Sequence, residues 1–272
     1  MNHTIYPLFT GTFTVRFEGL ESPGFPRVDD IPDYAFLVVD EAGAGVVVDT
    51  GFNRSNVPGV GSTFTREASL EIPALLNSLG FQAVDIQAVV MTHLHWDHTG
   101  GMEHFPDARF YIQYFDFMQM LHLNPNEETY YCPDHWMGLL DCVEPIHGRY
   151  ELKPGIELVR TGGHTHGHQA VRVHTAEGVV VLGGDAPFNY EFLWKAIPAE
   201  KWLLYKDGPG SRFYWKEGVL ETLRDWVHSL NVDVPYVHEK MPLKDIQNLG
   251  DRVIFAHDPA LQGVVRIPDL EN

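Results

Sequence analysis

Residues Met91 to Gly101 read MTHLHWDHTGG, which places His93, His95, Asp97 and His98 within six positions, directly after the apolar run Ala88–Val90. Imidazole nitrogens and carboxylate oxygens suit zinc and related first-row cations, and a site that keeps one coordination position open can activate water or polarise a substrate. In an extended backbone His93 and His95 point the same way, so together they can grip one ion. Asp97 and His98 follow a turn of the chain and could face a second ion, and Gly100 and Gly101 permit a sharp exit. A His-rich surface loop is the plain alternative.

Other strand ends weigh against that alternative. The apolar run VVVLGG ends on Asp185 and RVIFA ends on His257, while IELVR is followed by TGGHTHGH, which holds His164, His166 and His168. A surface loop does not explain the same event at four strand ends. Two cations about 3.5–4 Å apart repel each other strongly unless an anionic group bridges them. Asp185, at the end of a separate strand after two glycines, is the natural bridge. His168 is expected to hold its loop through hydrogen bonds, and His166 to be exposed or to support a ligand. Cys132, His135 and Cys142 lack a complete ligand set for a further zinc site and read as buried or loop thiols with a neighbouring imidazole.

The elements that must carry these residues follow from local pattern. Segments 34–39 (YAFLVV) and 46–49 (VVVD) are short, β-branched and apolar, and the EAGAG between them is turn chemistry, so they read as a hairpin ending at Asp49-Thr50-Gly51. Residues 66–79 have near-helical leucine spacing and stop at Gly80, with Pro73 disturbing the first turn. RFYIQ at 109–113 predicts a strand and the Phe- and Met-rich 114–123 a helix, whose side chains pack the core, the more common use, or line a substrate pocket. Strands are expected at 156–160, 170–175, 179–185 and 252–258, and a helix at 216–230 with Val219, Leu220, Leu223, Trp226, Val227 and Leu230 on one face.

Composition narrows the classes. The 272 residues are enough for one substantial core and contain no short-period repeat or Ser/Gly-rich linker, so a single domain over 1–272 is expected. A hydrophobic content of 44% excludes general disorder. The net charge of −18, from 19 basic and 37 acidic side chains, repels polyanions, and no basic patch offsets it, so nucleic acid is not an expected partner. The N-terminal MNHTIYPLFTGTFTV has no leader pattern, and no apolar run approaches the roughly 20 residues that cross a bilayer, so no membrane association is expected. With only Cys132 and Cys142 there is no disulfide framework, and the expected setting is the cytoplasm.

HLHWDH at 93–98, His164 in TGGHTHGH, Asp185 in GGDA and His257 in FAHD resemble the metallo-β-lactamase superfamily in order, spacing and strand placement, over roughly residues 34–260. The resemblance implies an α/β (α+β) fold: an αββα sandwich of two mixed β-sheets face to face, with helices outside. It implies a first metal held by His93, His95 and His164, a second held by Asp97, His98 and His257, and Asp185 between them. The cofactor implied is a pair of divalent cations, with zinc as first candidate and manganese, iron or cobalt as alternatives. The activity implied is hydrolysis of a lactone or ester by hydroxide held between the ions, with Asp97 handing a proton to the leaving group.

Within the superfamily, His95 stands where flavin-linked di-iron members have Glu, and His164 is not the Cys of many true β-lactamases. A glutathione-binding C-terminal region and an RNA-processing insertion are not evident. TGGHTHGHQ is similar to the TPGHTxGHQ of N-acyl-homoserine lactonases, and this branch is the nearest resemblance. Such lactonases often carry Tyr three residues after the bridging Asp, where this chain has Phe188; Tyr190 lies two residues on and could substitute if the loop is rebuilt. Thioester, phosphoester and hydrolytic dehalogenation chemistry run on the same metal core and stay open, as does a metal-bound ligand sensor with little turnover. The aromatic-rich segment at about 186–215 could wall a pocket for a hydrophobic or aromatic small-molecule ester or lactone, or could form a homodimer interface.

Overall fold

Along Val28–Asp40 side chains alternate between two faces, sending Phe36 and Val38 one way and Ala35 and Leu37 the other, and all four are buried. A strand buried on both faces belongs to a middle layer. The computed structural model, which describes residues 1–15, 28–53, 63–123, 127–187 and 215–268, shows what covers each face.

Twelve strands are described: β1 (His3–Val15), β2 (Val28–Asp40), β3 (Gly45–Val48), β4 (Thr63–Thr65), β5 (Ala88–Val90), β6 (Arg109–Gln113), β7 (Val143–Ile146), β8 (Arg149–Lys153), β9 (Ile156–Arg160), β10 (Gln169–Thr175), β11 (Gly178–Leu182) and β12 (Arg252–Ile254). One sheet has the order β4-β1-β2-β3-β5-β6-β7, antiparallel from β4 to β3 and parallel from β3 to β7. The second has the order β12-β11-β10-β9-β8, antiparallel except for the parallel β11–β12 pair.

Phe36, Val38, Val46, Val48 and Val90 of the first sheet pack on Leu158, Val171, Val173, Leu182 and Ile254 of the second. On the opposite face of the first sheet, Ala35, Leu37, Val47, Val89 and Phe110 join a cluster with residues of three helices: Ile72 and Leu76 of α1 (Ile72–Ser78), Phe117 and Met120 of α3 (Tyr114–Met120), and Leu223 and Val227 of α4 (Val219–Ser229). The short α2 (Trp96–Thr99) lies at the end of β5, and α5 (Leu243–Gln247) packs beside β12. Two mixed sheets face to face with helices outside are the αββα sandwich expected from the sequence.

A polar staple joins the sheets below the ligand loops. The Gln169 side-chain amide on β10 donates to the Met91 carbonyl at 2.7 Å and the Tyr111 carbonyl at 3.1 Å, and its carbonyl accepts from Gln113 Nε2 on β6 at 3.0 Å. Each bond satisfies a buried polar group that would otherwise cost about 1–3 kcal/mol.

Several boundaries differ from the sequence reading. The helix expected over 66–79 splits into a 3₁₀ turn at Ala68–Leu70 and α1, because Glu71 is extended and Pro73 sits in the first turn of α1, where its missing N–H costs nothing. The strand expected over 252–258 ends at Ile254, and the chain then turns so that His257 faces the site. β1, β4, β7 and β8 lie outside the strands that the local pattern predicts. β1 has a register shift between Phe9 and Gly11, which breaks the two-residue alternation that would have marked it.

Candidate metal centre

After β5 the chain runs from Met91 into α2 with Leu94 buried in the core, so His93 and His95, one residue either side, both turn the other way. The Nε2 of His164, from the loop between β9 and β10, lies 3.1 Å from His93 Nε2 and 3.0 Å from His95 Nδ1. Three imidazoles around one tetrahedral zinc, at Zn–N of about 2.0–2.1 Å, would place their nitrogens about 3.3 Å apart. The spacing matches a shared cation.

The second group is built from α2, the end of β11 and the end of β12. Asp97 Oδ2 is 3.8 Å from His98 Nε2 and 3.4 Å from His257 Nε2. Asp185 joins the two groups. Its Oδ1 is 3.4 Å from His98 Nε2 and 3.2 Å from His257 Nε2, and its Oδ2 is 3.5 Å from His164 Nε2. The structure thus brings His93, His95 and His164 together, and beside them Asp97, His98, Asp185 and His257, all seven buried, with the donor atoms of each group within 4.8 Å of one another.

Electrostatics separate the two groups. Burial, together with repulsion from the neighbouring imidazoles, holds His93 and His95 well below the ordinary histidine pKa, so their lone pairs are available. Burial also opposes charge on His98 and His257, but Asp185 and the other carboxylates around them outweigh it and raise both well above 6.5. In turn the charges on His257 and His98 overcome burial and hold Asp185 well below 3.8.

Outer contacts orient the rings. His257 Nδ1–H donates to the Pro32 carbonyl at 2.8 Å and His98 Nδ1–H to Asp49 Oδ2 at 2.9 Å, so in each ring Nε2 turns toward the other donors. Asp49 also accepts from the backbone N–H and the hydroxyl of Thr92, both at 2.7 Å, and holds a left-handed backbone at φ 58°. The sequence carried a signal for it, since VVVD is another apolar strand ending on an acid, but no role was assigned. Asp33, hydrogen-bonded to Thr10 and 3.8 Å from His257, was also missed.

Does a cation fit? His98 Nε2 and Asp185 Oδ1 are buried side by side in a contact that meets no hydrogen-bond geometry. Two good donor atoms with nothing shared between them, in a set of only imidazole and carboxylate, fit a divalent first-row ion.

His168 holds its loop as expected: Nδ1 contacts Thr161 Oγ1 at 2.6 Å, and Nε2 accepts the Asp185 N–H at 3.1 Å, so the ring also sets the bridging residue. His166 stacks on His238 with ring centres 3.8 Å apart. Burial pushes the Cys132 thiol up to about 12, Cys142 Sγ donates to the Pro106 carbonyl at 3.8 Å, and His135 Nδ1 contacts Thr99 Oγ1 at 2.8 Å. Among the described residues these three form no donor cluster. Phe188 and Tyr190, with all but the ends of the 186–215 segment, lie outside the described residues.

A family model described as the metallo-beta-lactamase superfamily matches residues 28–226. An N-acyl homoserine lactonase from a Bacillus species is 30% identical over 186 residues, covering 62% of this chain and 69% of that protein. One from Bacillus thuringiensis is 29% identical over 194 residues, covering 65% and 72%. Among solved structures, an N-acyl homoserine lactone hydrolase with N-hexanoyl-L-homoserine bound at its catalytic metal centre superposes with a TM-score of 0.64 at 21% identity, over 96% of each chain. The dizinc quorum-quenching lactonase AidC superposes with a TM-score of 0.58 at 15% identity, over 94% of this chain and 88% of that one.

Proposed function

Because this chain belongs to the metallo-β-lactamase superfamily, we propose that its seven buried donors hold two divalent cations and that the reaction they serve is the hydrolytic opening of a lactone or cleavage of an ester. The enzyme is a metal-dependent hydrolase. The observation that carries the two-ion reading is Asp185, whose two carboxylate oxygens face different donor groups. One site becomes a pair through that residue. The lactone reading is supported by the N-acyl homoserine lactonases that are 29–30% identical to this chain over 186–194 residues.

A bound pair of divalent cations supplies a nucleophile at neutral pH by acidifying water, and polarises a carbonyl oxygen. The chain's own residues do the rest. Asp97, in the first turn of α2 and at the junction with His257, is placed to take the proton released by the attacking water and pass it to the leaving alkoxide. His168 and Asp49 keep their neighbours from rotating.

Beside His257 stands an aromatic wall. Phe13 meets His257 at 5.6 Å and Trp96 at 4.9 Å between ring centres, Phe52 meets Phe64 at 5.9 Å, and Phe64 is 40% exposed at its edge. Phe13, Trp96 and Phe52 are buried in the core and keep water from that side of His257. Zinc is the first candidate ion on donor type. Two cysteines that remain thiols suit a cytoplasmic setting. Among the described residues no helix is long and apolar enough to cross a membrane.

The test is turnover by metal-loaded protein on acyl-homoserine lactones, simple lactones, aryl esters, thioesters and phosphoesters. Lactones or aryl esters should be the best substrates. Asp97→Asn should lower kcat by about 10²–10⁴-fold while most of the metal is retained. A fully loaded protein inert to the whole panel would favour a ligand sensor, and near-normal turnover by the loaded variant would remove the proton-transfer role.

A further inference from the structure

Each donor group leans on a buried carboxylate outside the donor set. Asp49 holds His98 directly and reaches His93 through the Thr92 hydroxyl, which contacts His93 Nδ1 at 3.0 Å. Asp116, in the first turn of α3 and fully buried, serves the other. Its Oδ2 accepts the Leu94 N–H at 2.9 Å, and its Oδ1 accepts the Thr165 hydroxyl at 2.6 Å and the Gly167 N–H at 2.9 Å.

Leu94 stands between His93 and His95, and Thr165 and Gly167 follow His164. One side chain therefore pins the backbone of two loops that are about 70 residues apart in sequence and whose imidazoles meet at the site. The fit is close: a Cβ on Gly167 would lie 2.3 Å from Asp116 N and 2.7 Å from its Oδ1. All three partners donate, so an ionised carboxylate satisfies each of them, whereas an amide would turn an NH₂ against a donor. None of the three contacts is to Asp97, His98, Asp185 or His257.

We propose that Asp116 is the positioning residue of the all-imidazole cation site, setting His93 and His95 against His164, and that it acts on this site and not on the one formed by Asp97, His98, Asp185 and His257. The inference rests on the two-cation reading above. It sets Asp116 apart from Asp49, which touches His98 directly and reaches His93 through the Thr92 hydroxyl.

The test is titration of metal-free protein with Zn²⁺ against a chromophoric chelator, repeated with Co²⁺, whose visible absorption distinguishes an all-imidazole site from one containing carboxylates. Wild type should take up two ions with two resolvable constants. In Asp116→Asn the constant of the all-imidazole site should fall by about 10–100-fold while the other holds. Thr165→Val, which removes one of the three hydrogen bonds, should lower the same constant by less.

A folded Asp116→Asn protein, checked by circular dichroism and thermal melting, that keeps both constants or loses both equally would overturn the assignment. If that variant does not fold, Thr165→Val decides, and unchanged constants there overturn it. Wild type that takes up fewer than two ions would instead sink the two-cation reading itself.

Discussion

His135 is a buried imidazole outside the donor groups, and its environment makes it a reporter of folding. Thr99 Oγ1 already donates to the His95 carbonyl at 3.0 Å, so it accepts from His135 Nδ1–H at 2.8 Å. Burial lowers the pKa of His135 to about 4. Below pH 6.5 the unfolded chain takes up a proton that the folded chain refuses. Stability present above that pH is therefore lost as pH falls toward 4, by about 3 kcal/mol in full. Asp33 and Asp116, pushed up to about 6 by burial, act in the opposite sense between about pH 4 and 6. The difference between wild type and His135→Asn isolates the effect: urea midpoints should diverge at pH 7.5 and converge toward pH 5. An equal gap at both pH values would show that His135 titrates normally. None of this was visible in the sequence, where His135 looked like a spare histidine near two cysteines.

At the scale of elements, the placement of α2 decides where His98 stands. Thr50 N–H and hydroxyl both donate to the His98 carbonyl, at 2.7 and 2.8 Å, and the Gly100 N–H donates to the Gly51 carbonyl at 2.7 Å. Gly100 is there for closeness, not for an unusual backbone angle. A Cβ on it would lie 2.2 Å from Asn53 N and 2.3 Å from Phe52 C. Gly100→Ala must therefore part α2 from the strand end that carries Asp49, at a cost of about 3 kcal/mol. Urea unfolding should show that loss, and metal analysis should show reduced occupancy at the site containing His98; a variant as stable as wild type would mean the loop moves freely. The pair of glycines was read from the sequence as a sharp exit, and the structure shows a docking surface as well.

For the whole molecule, the donors come from four strand ends on two sheets, so cations held there tie the layers together. An ion that binds only the folded state stabilises it by about 2.7 kcal/mol at a hundred times its dissociation constant. Chelation should accordingly lower the melting temperature by roughly 5–10 °C for each ion removed under those conditions, and added Zn²⁺ should restore it. An unchanged melt after complete removal would show that the sandwich does not depend on them. The sequence by itself determined the donor types, their spacing along each loop and their positions after apolar strands, because strand periodicity and turn chemistry are local. Only the tertiary structure decided that Asp185 presents one oxygen to each donor group, that Asp49 binds His98 while Asp116 pins the loops of His93, His95 and His164, and that β1 lies between β2 and β4. Those facts are contacts between residues distant in the chain, set by sheet order and register, and a local hydrophobic pattern carries no record of which strand will lie beside which.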